Sequence, residues 1–117
     1  MELLLVEANR SLARSLKTGL GEEGFTVHSL DDPERALALL RSRQFAAIIV
    51  DVAPGREAAM LENWRQAQIT TPVLVLSTPG SSLESLNERG LGPGAFLAKP
   101  FSFDDLLNRL AHLTNHH

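Results

Sequence analysis

Four polar side chains stand directly after short apolar runs, and they include the groups best suited to chemistry. Glu7 follows Leu3-Leu4-Leu5-Val6, Asp51 follows Ile48-Ile49-Val50, Ser77 follows Val73-Leu74-Val75-Leu76, and Lys99 follows Phe96-Leu97-Ala98. Gathered at one place, they make a phosphoryl-transfer site. A carboxylate can attack a phosphoryl group to give an acyl phosphate, a hydroxyl can donate to a phosphoryl oxygen, and an ammonium can neutralise the charge that develops. A hard divalent cation held by carboxylates would complete such a site. Each residue alone has a plainer reading, since Asp after a strand commonly caps a turn or helix and Lys-Pro commonly marks a solvated turn. Only their shared position after four apolar runs joins them.

That position depends on the elements. Five apolar runs rich in Val, Ile and Leu alternate with stretches of helical period, which predicts a parallel sheet flanked by five helices. The predicted strands span 3–6, 25–30, 45–50, 73–76 and 95–98, and the first, third and fourth are apolar throughout, as strands covered on both faces must be. Asn9 is placed to cap the first helix, along which Leu12, Leu16 and Leu20 recur four apart before Gly24 ends it. Asp32-Pro33 is an N-cap followed by proline at the first helical position, with Leu37 and Leu40 facing inward. A third helix is predicted over 56–68, with Trp64 as a packing residue. Ser81 with Glu84, and Ser102 with Asp105, have capping-box spacing and open the fourth and fifth helices. In an open sheet of this class, ligands sit beyond the carboxyl ends of the strands, where the four polar groups fall.

Composition excludes several alternatives. The 117 residues fit one domain, 44% of them are hydrophobic, and the net charge is -3 with the basic residues scattered, so direct nucleic-acid binding is not expected. The absence of cysteine removes disulfides, thiolate metal sites and thiol nucleophiles. No run is long enough to cross a bilayer, and the segment 1–6 is too short and too acidic for a signal peptide, which predicts a soluble chain without membrane contact. His28, His112, His116 and His117 lack metal-ligand spacing, and the last two, which could be a tag remnant, are assigned no role. A nucleotide- or flavin-binding protein of this architecture needs a glycine-rich loop after the first strand, and Glu7-Ala8-Asn9-Arg10-Ser11 is not one.

From end to end, Val6-Glu7, Ile48-Ile49-Val50-Asp51, Pro72-Val73-Leu74-Val75-Leu76-Ser77 and Phe96-Leu97-Ala98-Lys99-Pro100-Phe101 resemble the receiver domains of bacterial response regulators. The resemblance implies a flavodoxin-like, doubly wound five-stranded parallel sheet with strand order 2-1-3-4-5, in a cytoplasmic single domain that is not an enzyme beyond accepting a phosphoryl group. It implies Asp51 as phosphoacceptor, Ser77 as switch hydroxyl, Lys99 as the phosphate-contacting lysine, Phe96 as switch aromatic, and Glu7, Asp51 and the Ala53 carbonyl as ligands of Mg²⁺. It further implies a cis Lys99-Pro100 bond, a sensor histidine kinase as phosphodonor, and a DNA-binding output domain following the receiver, as in winged-helix regulators. A homodimer would use the face of the fourth helix, fifth strand and fifth helix, where Arg109 matches a basic residue.

Three departures qualify this expectation. Ala8 occupies the position of the family's second acidic residue, and a methyl group cannot bind a metal, so Mg²⁺ binding is expected to be weak. Asp51-Val52-Ala53-Pro54-Gly55 reads one residue shorter than the family's loop, and Gly94-Ala95 replaces a pair of aspartates on the dimer face. Two functions therefore stand open: a degenerate receiver acting as a dimerisation or protein-binding module, favoured by Ala8 and the loop, and a conventional phosphoacceptor, favoured by Asp51, Ser77 and Lys99.

Overall fold

In a computed structural model, residues 1–53, 55–77 and 95–114 are described. The predicted fourth helix, Thr78, Gly94, Pro54, His116 and His117 lie outside them. The strands are β1 (Glu2–Glu7), β2 (Thr26–Leu30), β3 (Ala47–Asp51), β4 (Val73–Ser77) and β5 (Phe96–Ala98), and all pair in parallel in the order β2-β1-β3-β4-β5. The helices are α1 (Arg10–Glu22), α2 (Pro33–Ser42), α3 (Glu57–Gln66) and α4 (Phe103–Thr114), the last being the helix expected as the fifth. Among the described residues, no helix is long and apolar enough to cross a membrane.

Side-chain alternation along β1 explains the layers. Leu3 and Leu5 point into one core with Leu16 and Leu20 of α1 and Leu106 and Leu110 of α4. Leu4 and Val6 point into the other, with Ala36 and Leu40 of α2 and Met60, Leu61 and Trp64 of α3. A strand buried on both faces must be apolar at every position, and Leu3 to Val6 are at most 1% exposed. β2 lies at the sheet edge and is covered less completely, with Val27 buried and Thr26 and Ser29 exposed.

The caps fix where the chain enters each helix. Asn9 Oδ1 accepts from the Leu12 N–H at 3.0 Å, and Asp32 Oδ1 accepts from the Glu34 N–H at 2.9 Å ahead of Pro33. At α4 the Ser102–Asp105 box closes in both directions, at 3.1 and 3.4 Å. Gly24 ends the α1 segment with φ 94°, a left-handed conformation that glycine adopts without strain. α3 is shorter than predicted, because Gln68 takes φ 62° and the Ile69 N–H turns back to the Trp64 carbonyl at 3.0 Å. Phe45 is buried just ahead of β3 rather than within it.

α4 is held by few large residues, so truncating one is costly. Leu106→Ala is expected to lower unfolding free energy by about 2–5 kcal/mol, the usual cost of a buried leucine, while exposed Asn108→Ala changes it by less than about 0.5 kcal/mol. Urea denaturation checks this, and similar losses from both variants would contradict the packing.

Candidate functional site

β1 and β3 are neighbours in register, with Glu7 opposite Asp51, so the sheet sets two carboxyl groups side by side where these strands end. The next strands complete the group. Ser77 ends β4 opposite Ala98, and the Lys99 N–H donates to the Ser77 carbonyl at 2.9 Å, which fixes the chain immediately after β5. From there the Lys99 ammonium donates to Asp51 Oδ2 in a direct ion pair. The Lys99–Pro100 peptide is cis. Asp51 and Lys99 side chains are only 9% and 28% exposed, so the pair is largely shielded from the screening that weakens surface ion pairs.

Two carboxylates and one ammonium leave a surplus negative charge, and Glu7 absorbs it. Burial pushes the Glu7 carboxyl up to about 7, the adjacent Asp51 charge adds to the shift, and Lys99 opposes it. Beside Asp51, burial favours the neutral form of Glu7. Ser77 is 5% exposed, with its hydroxyl donating to the Leu97 carbonyl over a long 3.5 Å. That weak bond leaves the hydroxyl little to lose by turning to another acceptor.

The oxygen donors near Asp51 fit a Mg²⁺ ion poorly. Ala8 is exposed and presents a methyl group. The Asn9 amide oxygen, the obvious substitute, is occupied as the α1 cap. The Ala53 carbonyl accepts from the Arg56 N–H at 3.1 Å, and Asp51 is held by Lys99. Mg²⁺ demands near-octahedral oxygen ligation and tolerates the loss of a carboxylate badly.

Two contacts were not foreseen. Glu57 is 4% exposed, and its Oε2 accepts from the Gly55 N–H at 2.9 Å, bracing the loop that follows Asp51. Arg109 donates to the Phe96 carbonyl at 2.7 Å, tying α4 to β5 at the residue whose half-buried ring packs on the α2–α3 core. Sequence offers only faint signals for either, an acid in the first turn of a helix and a cation on an exposed helix face.

Comparison with known proteins follows this geometry. The family model described as the response regulator receiver domain matches residues 3–111. The transcriptional regulatory protein HprR of Escherichia coli K12 is 36% identical over all of this chain and 53% of its own length. The transcriptional regulatory protein TctD of Salmonella typhimurium is 33% identical over 97% of this chain and 51% of its own. The chain thus spans about half the length of these curated relatives. Among solved structures, the receiver domain of Francisella response regulator 1452 superimposes with TM-score 0.84 and 27% identity, covering 97% of this chain and 96% of its own.

A carboxyl whose folded pKa is raised contributes stability that is complete below its unfolded value, near 4.5, and is lost as pH rises through about 7. Glu7→Gln removes that loss. Its Tm is expected to match the parent's near pH 5 and to exceed it by a few degrees at pH 8. Thermal denaturation across this range checks it, and a Tm difference independent of pH would contradict the protonated Glu7.

Proposed function

The chain belongs to the response regulator receiver domain family, and we propose that it is an atypical receiver in two-component signalling, with weakened Mg²⁺-dependent phosphorylation of Asp51. It acts through protein contacts or dimerisation on an output such as transcription. The observation that carries this reading is Ala8, which leaves the Asp51 site one carboxylate short. Phosphorylation would require an Asp51 oxygen to attack phosphorus as the donor's bond to phosphorus breaks. Lys99 would then transfer its contact from the carboxylate to the new phosphoryl oxygens, and Ser77 would turn from the Leu97 carbonyl toward them. Without a well-held cation, the charge that Lys99 alone must neutralise makes this transfer slow. The preserved trio of Asp51, Ser77 and Lys99 favours a second reading, a conventional receiver phosphorylated by a sensor histidine kinase.

The names of HprR and TctD support an output in transcription, through a DNA-binding domain beyond this chain. A cytoplasmic setting accords with such an output. A homodimer through β5 and the last helix would place Arg109 at its surface, where its bond to the Phe96 carbonyl gives the switch aromatic a link to the interface. Arg109→Glu is expected to lower the dimer fraction in sedimentation, and an unchanged fraction would place any dimer elsewhere.

Ala8→Asp restores a direct ligand beside the nucleophile and is expected to raise labelling of Asp51 by a small acyl-phosphate donor in Mg²⁺ by at least about tenfold, the rate equivalent of 1.4 kcal/mol of barrier. Mass spectrometry of the parent, Ala8→Asp and Ala8→Asp/Asp51→Asn proteins gives the result. A parent that labels as fast as Ala8→Asp supports the conventional reading and ends the atypical one.

A further inference from the structure

An open groove of about 480 Å³ runs between α1 and the junction of β2 with α2, lined by Arg10, Arg14 and Lys17 on one wall and Arg35 on the other. The three α1 cations recur at helical spacing on one face, in a row about 10 Å long at 1.5 Å per residue. Among the described residues, none of these three makes a side-chain hydrogen bond or ion pair. α1 supplies no balancing acid until Glu22, at its far end. Arg10 also stands in the first turn, where the helix dipole disfavours cations. A solvated charged face ordinarily mixes signs at i, i+4 spacing, and this one does not.

Neither acid at the groove pairs with the α1 cations. Asp31 accepts from Arg35 at 3.3 Å, and Glu7 faces Asp51, so the three α1 cations are left uncompensated. The apolar lining is confined to Ala13 and Leu30, with no aromatic ring to anchor a protein side chain or stack a base. Protein interfaces need an apolar or aromatic centre, which is missing here, whereas the volume is that of a small-molecule site. Guanidinium groups bind phosphate oxygens in bidentate fashion, and three of the four cations are arginine.

We propose that this groove binds a small anion carrying several linked phosphate groups, recognised through Arg10, Arg14 and Lys17 with Arg35 from the opposite wall. The groove adjoins the phosphoacceptor pocket, sharing Glu7 with it, but the four cations lie outside that pocket and the binding does not depend on phosphorylation of Asp51.

Inorganic tripolyphosphate is the probe, titrated calorimetrically into the chain at low ionic strength, with orthophosphate, ATP and an acidic glutamate peptide as comparisons. Tripolyphosphate is expected to bind at least about tenfold more tightly than orthophosphate or the peptide, and to bind Asp51→Asn as it binds the parent. ATP binding within a few-fold of tripolyphosphate assigns recognition to the phosphates alone, and much tighter ATP binding shows that a nucleoside polyphosphate is the preferred source. Arg14→Glu/Lys17→Glu, and the milder Arg14→Gln/Lys17→Gln, are expected to weaken binding at least about tenfold and about threefold respectively, both positions being exposed. Undiminished binding by these variants, loss of binding in Asp51→Asn, equal binding of the peptide, or no binding to the parent would each overturn the proposal.

Discussion

The ion pair between Lys99 and Asp51 ties together parts of the chain that are 48 residues apart, and the character of the site follows from it. Parallel pairing of β1 with β3 puts Glu7 opposite Asp51, an arrangement that two ionised carboxylates would oppose. Lys99 reaches them because β5 pairs with β4 and the chain is then pinned by the Ser77 carbonyl. One ammonium neutralises one carboxylate. Burial, and after it the neighbouring Asp51 charge, push the second, Glu7, up to about 7, so it is only partly ionised near neutral pH. The sheet register thus sets the two carboxyl groups side by side, and burial raises one of them.

That charge state bears directly on function. In a receiver, the surplus negative charge of an acidic pocket would attract a cation, and the cation would screen the charge of a phosphoryl group arriving at the aspartate. Here Ala8 supplies no charge, Lys99 pairs with Asp51, and the Glu7 carboxyl, raised to about 7 by burial, is only partly ionised near neutral pH. With Ala8 in place of a carboxylate, the pocket holds less negative charge to draw Mg²⁺ in, which is the basis of the weak binding proposed above. The residues proposed to transmit a change are placed with Ser77 on a weak bond, Phe96 half-buried, and Arg109 joining the Phe96 carbonyl to α4. The fold is that of a receiver, and under the proposed reading it is the chemistry at Asp51 that Ala8 alters.

Much of this was legible from residue types alone. Strands buried on both faces announce themselves as unbroken apolar runs, so β1, β3 and β4 could be placed to within a residue or two, as could the caps at Asn9, Asp32 and Ser102. The groups at the strand ends were legible for the same reason, since a polar residue after a buried strand has one edge to occupy. Other features depend on tertiary contacts that no local pattern encodes. The start of α3 carries no capping side chain, and its end is set by Gln68 in a left-handed conformation. Burial of Glu57 depends on the loop folding back so that Gly55 donates to it, and the Arg109 bond depends on where α4 crosses β5. The cationic groove also escaped notice, because Arg10, Arg14 and Lys17 look scattered until α1 aligns them and Arg35 closes the far wall.

The poor fit of the pocket for Mg²⁺ is tested most directly by titrating Mg²⁺ into the unphosphorylated chain while following the Asp51 and Glu7 amide resonances by NMR. The account predicts no saturable shift at these amides up to millimolar Mg²⁺. Saturation at sub-millimolar concentration, with Asp51 and Glu7 among the most affected residues, would contradict it and show that the remaining oxygens hold the ion as firmly as a complete acidic pocket does.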